Sequence, residues 1–172
     1  MKNMKKALSF LVALMLMVAV GAQAQTLDLT YEGVTFTLPE DFEAFFSEDG
    51  DTVSINMYKS ASLDNALFII AVSTQDNQPS GDIEADLKAQ YDVIADDLHE
   101  AAYEVKTIGV YTFFVITEGT GREVSYLTQA DGMQIQVTCI AAFENEAGIS
   151  AAQVEATEAI VVGMAIKSAV AE

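Results

Sequence analysis

A single histidine, His99, and a single cysteine, Cys139, are the side chains here best suited to proton transfer or nucleophilic attack. His99 follows Leu98 and lies near Asp96 and Tyr103 at helical spacing, so a general base or a metal ligand is conceivable. A lone imidazole among carboxylates is, however, the ordinary state of a solvated helix face. Cys139 stands between Thr138 and Ile140 with Val137 nearby, which predicts a buried, inert thiol pointing away from any base. Zinc needs three or four nitrogen or sulfur ligands, and one His with one Cys cannot furnish them.

The acids are numerous but unorganised. Asp92, Asp96 and Glu100 share a helical face, yet they spread over about 12 Å at the helical rise, too far to ligate one calcium ion together. Glu48, Asp49 and Asp51 are closer in sequence but lack the calcium-loop spacing. No two carboxylates single themselves out as a glycosidase pair. Arg122, the only arginine, could grip a ligand carboxylate, although its neighbour Glu123 favours a local or cross-strand ion pair. Gly119-Thr120-Gly121 joins two strands rather than a strand to a helix, so it is a turn and not a phosphate loop. No catalytic, cofactor-binding or metal residue is therefore assigned, and the binding residues are left open.

These side chains are carried by a chain of 172 residues, 51% hydrophobic, the size of one domain with a real core. Lys2, Lys5 and Lys6, the apolar run Ala7 to Val20 and the Ala22-Gln23-Ala24 site predict a signal peptide over 1–24 and a mature domain over 25–172. The apolar run is short for a membrane span, and Gln23, Gln25 and Asp28 follow it, so no membrane insertion is expected once the leader is removed. The expected location is the periplasm or the exterior of a bacterial cell. Three of the eight Lys and Arg leave with the leader, and the five that remain face 26 acids, a formal charge of −21. Such a chain repels nucleic acid and anionic lipid. With one cysteine no internal disulfide can form, so stability must come from packing.

Period-two alternation predicts a hairpin of Leu27, Leu29 and Tyr31 with Val34, Phe36 and Leu38, turning at Glu32-Gly33 so that 27 pairs with 38. Pro39 ends it, and a helical turn over 40–46 is expected, with Phe42, Phe45 and Phe46 inward. Val53, Ile55 and Met57 line one side of a further strand, and the continuous apolar run 66–72 predicts a strand covered on both faces. After a loop over 75–81, a stripe of Ile83, Leu87, Tyr91, Ile94, Leu98, Ala102 and Val105 predicts a long helix. The segment 108–117 is apolar on both alternating faces, including Val110, Phe114 and Ile116 on one, and predicts a buried strand. Asp131-Gly132 sets a hairpin in which Val124 faces Cys139, Tyr126 faces Val137 and Thr128 faces Ile135. The opposite face, with Ser125, Leu127, Gln136 and Thr138, is half polar and is expected to be wetter. Ser150 and Gln153 form a capping-box pattern for a helix reaching about Ala169.

The aromatic-Thr-Leu-Pro-x-x-Phe stretch over 36–42, followed by two strands, a long helix, a three-strand meander and a C-terminal helix, resembles the PsbP-like α/β/α fold, shared by DcrB-like proteins of the bacterial envelope. The resemblance implies an α+β fold, an antiparallel sheet with a long middle helix and a C-terminal helix packed on it. It also implies a non-catalytic binding or envelope-assembly module, with a protein or small-molecule partner in the cell envelope. The matching motif is a packing motif and transfers no binding residue. The alternative expectation is a carboxylate-dependent hydrolase of an envelope or extracellular polymer, which demands two carboxyl groups about 5–10 Å apart in a groove. Oligomeric state is not legible in the sequence.

Overall fold

A computed structural model describes residues 25–28, 33–74, 82–94, 101–142 and 147–167. The expected leader over 1–24, the loop over 75–81, and His99, Asp96 and Glu100 lie outside the described residues. A seven-stranded antiparallel sheet runs in the order β3 (Phe42–Asp49), β4 (Val53–Ser60), β5 (Ala66–Thr74), β9 (Met133–Ala141), β8 (Glu123–Ala130), β7 (Tyr111–Thr117), β6 (Ala102–Ile108). A second, three-stranded sheet is made of β1 (Gln25–Asp28), β2 (Val34–Leu38) and β10 (Ala165–Ile166). Two helices, α1 (Ile83–Ile94) and α2 (Ala151–Val162), pack on the large sheet, which gives the expected α+β class.

The two faces of the large sheet differ. Alternate residues of β5, β9, β8 and β7, namely Phe68, Ile70 and Val72, Ile135, Val137 and Cys139, Val124 and Tyr126, Phe113 and Val115, are buried on the inner face. They join Val34, Phe36 and Leu38 of β2 with Ile160 and Val161 of α2 in one core. On the outer face α1 places Leu87 against Phe114, Ile116 and Leu127, a smaller core on β7 and β8 that Tyr103 of β6 joins by stacking on Phe114 at 4.4 Å.

The β8–β9 hairpin has the predicted register, with Val124 opposite Cys139, Tyr126 opposite Val137 and Thr128 opposite Ile135. Asp131 and Gly132 both adopt positive φ, 50° and 77°, as a two-residue primed turn requires. Ser150 caps α2 as expected, its hydroxyl accepting from the Gln153 N–H while the Gln153 side chain accepts from the Ser150 N–H.

Other expectations are corrected. Leu27 pairs with Phe36, not Leu38, two residues out of step with a two-residue turn at Glu32-Gly33. Gly33, at φ 80°, is instead tied to Lys167, whose N–H donates to its carbonyl at 3.1 Å as β10 joins β2. The shift is even, so Leu27 keeps its core face. Residues 42–49 are a strand, not a helical turn: Phe42 is buried against Phe68, but a bulge between Ala44 and Phe46 leaves Phe45 59% and Phe46 43% exposed. The helical stripe ends sooner than expected, because Ala102 and Val105 lie in β6, where Ala102–Ile108 alternates and pairs with β7. Val110 is 87% exposed in the turn after Gly109 rather than part of a buried strand. The final helix stops at Val162, with Gly163 as its cap and β10 after it. Thr37 comes so close that a Cβ on Gly163 would lie 2.8 Å from its Cβ, and the Thr37 N–H donates to the Gly163 carbonyl. Only glycine permits that approach.

Candidate binding surface

Strand β4 is inverted with respect to ordinary burial. Its polar residues Ser54, Asn56 and Ser60 point to the inner face and are buried together with Tyr58, while Val53, Ile55 and Met57 point outward, Val53 37% exposed. The buried polar side chains are satisfied: Ser54 donates to Asp49 at 2.5 Å, Asn56 donates to Ser54 at 3.1 Å, and Ser47 donates to Asn56 at 2.7 Å. Strand β5 beside it has Phe68, Ile70 and Val72 buried, but Leu67, Ile69 and Ala71 only half-buried, so it is fully covered on one face and not on both as expected. The registers place Met57 beside Ile69, Ile55 beside Ala71, Leu67 beside Ile140 and Phe46 beside Met57. An apolar strip therefore crosses β3, β4, β5 and β9 on the part of the outer face that no helix among the described residues covers.

At one end the strip runs into a cleft of about 400 Å³ lined by Phe45, Lys59, Leu63, Leu67 and Ala142. Its walls are fixed. Asp41 accepts from the hydroxyls of Ser60 and Ser62, both at 2.5 Å, which lowers its carboxyl pKa and ties the β4–β5 loop to the entry of β3. Asn65, at φ 64°, accepts the Ala142 N–H at 2.6 Å, and the Gln153 amide donates to the Asp64 carbonyl at 3.0 Å. Lys59 Nζ lies 4.0 Å from the Phe45 ring centroid, a cation over an exposed aromatic face.

A second cleft, of about 190 Å³, lies between β6–β8 and α2 and is lined by Glu104, Lys106, Glu123, Tyr126 and Ile149 among others. Lys106 bridges Glu104 at 2.9 Å and Glu158 at 3.1 Å, and Tyr126 donates to Glu158 at 2.9 Å. The Tyr126 hydroxyl and the Lys106 ammonium hold the Glu158 carboxyl below the usual range, and burial raises the Tyr126 pKa. The carboxylates that line this cleft are Glu104 and Glu123, and Glu158 is tied to its lining through Lys106 and Tyr126. A general acid must hold its proton near neutrality, and Glu158 is pushed the opposite way. What the quartet does is tie α2 to the sheet.

The residues weighed from sequence are dispersed. Cys139 is fully buried, and burial pushes its thiol up to about 11. The Arg122 guanidinium donates to the Ala142 carbonyl at 2.8 Å. Asp92 pairs with Lys88 at 3.0 Å on α1. Glu48 and Asp49 belong to β3, and among the described residues no three His, Cys, Asp or Glu side chains group as a metal site. Glu118–Arg122 forms the turn between β7 and β8, closed by the Gly121 N–H on the Glu118 carbonyl at 2.8 Å.

The half-polar hairpin face is not wet. Ser125 and Thr138 are buried and bond each other at 2.7 Å, with the Gln136 amide donating to Thr138 at 2.9 Å. Mutual hydrogen bonding satisfies these groups without water, and Leu127 beside them is buried under α1. The open apolar surface sits on β4 and β5 instead. Sequence reasoning had its signal, the alternation of Val53, Ile55 and Met57, but alternation alone does not say which side is buried.

No protein-family model matches the chain, and no curated protein matches it. Solved structures do. A solution structure of cyanobacterial PsbP (CyanoP) from Synechocystis sp. PCC 6803 is similar at TM-score 0.55 and 12% identity over 86% of this chain and 95% of that one. The fold is PsbP-like. A crystal structure from Bacteroides thetaiotaomicron VPI-5482 is similar at TM-score 0.56 and 13% identity over 86% of this chain, which spans 50% of that protein. Among the described residues no helix is long and apolar enough to cross a membrane.

Proposed function

We propose that this protein is an exported, non-catalytic binding or assembly module of the bacterial envelope, which docks a partner on the outward strip of β3, β4, β5 and β9. The inverted strand β4 carries the reading. A strand shifted by one residue would bury Val53, Ile55 and Met57 and expose Ser54 and Asn56, the arrangement that folding alone favours. Keeping the apolar side outward costs stability and leaves a surface suited to contact. The strip is apolar, which favours a protein partner, while the adjoining cleft can seat one anchoring side chain beside Phe45 and Lys59. The basic start, apolar run and Ala22-Gln23-Ala24 site support export.

The test is site-specific photo-crosslinking in cells that express the full chain. A crosslinker at position 57 should give a discrete adduct, lost when Ile69→Asp is added, and one at the remote, exposed position 110 should give none. Equal labelling at 57 and 110, or no adduct at 57, would overturn the reading. The hydrolase alternative needs Glu104 and Glu123, the carboxylates that line the second cleft, as its acid pair, and polymer degradation abolished by Glu123→Gln would favour it.

A further inference from the structure

The large sheet ends in two edge strands of opposite character. β3 carries Glu43, Glu48 and Asp49, no cation, and a bulge between Ala44 and Phe46. A second β3 laid against it would bring carboxylate to carboxylate across an irregular edge, the usual protection against pairing. β6 has neither device. It pairs with β7 without a register shift over seven residues, most of its side chains are exposed, and among the described residues no other backbone hydrogen bond reaches it.

The pattern of β6 is complementary to itself. Ile108 and Tyr111 flank the two-residue turn Gly109-Val110, with Gly109 at φ 63°, so they form a hydrogen-bonded pair, and by alternation so do Lys106 with Phe113 and Glu104 with Val115. The N–H and C=O groups of Tyr103, Val105 and Thr107 then point away from the sheet. These odd positions match their own copies in one two-fold antiparallel register centred on Val105, in which Tyr103 meets Thr107 and about six backbone hydrogen bonds form. In that register Glu104 lies directly opposite Lys106 of the second copy, twice. Val105 and Tyr103, 38% and 40% exposed, cover each other's side of the seam.

We propose that β6 is a self-complementary docking edge through which the protein forms a two-fold dimer, β6 antiparallel to β6, with Val105 opposite Val105 and Glu104 opposite Lys106. The net negative charge of each copy opposes association, so the dimer tightens as salt screens that repulsion. The seam joins the two sheets into one continuous sheet and leaves the outward strip on β4 and β5 free on each copy.

Sedimentation analysis of the protein purified after expression of the full chain tests this. The expected result is a concentration-dependent doubling of mass, reached at lower protein concentration when salt is raised. Val105→Pro removes an N–H that points to solvent in the monomer, so it should weaken the dimer about tenfold or more while the thermal melt of the monomer stays put. Glu104→Lys, which sets ammonium against ammonium, should also weaken it, and adding Lys106→Glu should restore it even though it gives up the Lys106–Glu158 bridge within each copy. If Val105→Pro lowers the melt, the charge reversal and its rescue decide. A monomer at all concentrations, or a dimer indifferent to both Val105→Pro and Glu104→Lys, overturns the proposal.

Discussion

Adjacent residues of β5 live in different environments: Phe68 is fully buried between β2, Phe42 and α2, whereas Leu67, one position earlier, is half-buried on the outer strip. The inner face is closed by a helix and a second sheet. The outer face is closed at β7 and β8 by α1, whereas at β4 and β5 no helix among the described residues covers it and its apolar side chains stay half-buried. Stability is concentrated on the first face, and the second keeps apolar surface that stability does not use.

The largest expected effect tests that division directly. Phe68→Ala removes a ring packed 4.7 Å from Phe42 and should cost about 3–5 kcal/mol in urea unfolding. Leu67→Ala should cost only about 1 kcal/mol, since it gives up half-exposed surface. Equal losses would mean that the outer strip is as much core as the inner face. Gly163→Ala should follow, at about 1–3 kcal/mol, because its Cβ meets Thr37 backbone as well as side chain and β2 must shift. The same substitution at Gly109, where nothing lies within 4 Å, meets no clash, and its smaller cost reflects the positive φ alone.

Smaller still is the tie between α2 and the sheet. The Tyr126 hydroxyl and Lys106 hold the Glu158 carboxyl below its ordinary 4.5, so in the folded protein it takes up its proton at lower pH than in the unfolded chain. Its contribution is present above the unfolded value and lost as pH falls through the folded one. Glu158→Gln should therefore lower stability by under about 1 kcal/mol at pH 7, given its partial exposure, with the difference from wild type shrinking as pH falls from 7 through the unfolded value and below. Unfolding curves across that range check it. The least effect is expected at Val53→Thr, within about 0.5 kcal/mol, although it should weaken partner crosslinking from position 57.

Where local chemistry determined structure, the sequence was readable. Asp131-Gly132 can make one tight turn, and that turn carries the whole β8–β9 register. Ser150 and Gln153 start α2 by bonds within one turn. Misreadings fell where two periods coexist. Phe42, Phe45 and Phe46 fit a helical spacing, but Phe42 pairs opposite Ser60 in a strand and the bulge turns the other two outward. Ala102 and Val105 fit both the helical stripe and an alternating strand, and pairing with β7 decided it. The candidate surface was half legible: the apolar alternation of β4 is in the sequence, but its outward direction depends on buried Ser54 and Asn56 bonding to each other and to Asp49, which no spacing announces. The Glu104–Lys106–Tyr126–Glu158 cluster is held by bonds that span 52 residues, Lys106 to Glu158, and 32 residues, Tyr126 to Glu158, and left no local signal.

The short strand β10 has a consequence for the order of folding. Thr35 and Ala165 are linked across 130 positions of chain, so β2 has β1 beside it early but gains its second neighbour only once residues 165–166 have been made. Such a long loop must close before its contacts repay the lost entropy. Val34, Phe36 and Leu38 therefore wait for α2 and β10 to cover them, and a nascent chain shorter than about 165 residues presents this part of its core to whatever holds unfolded polypeptide.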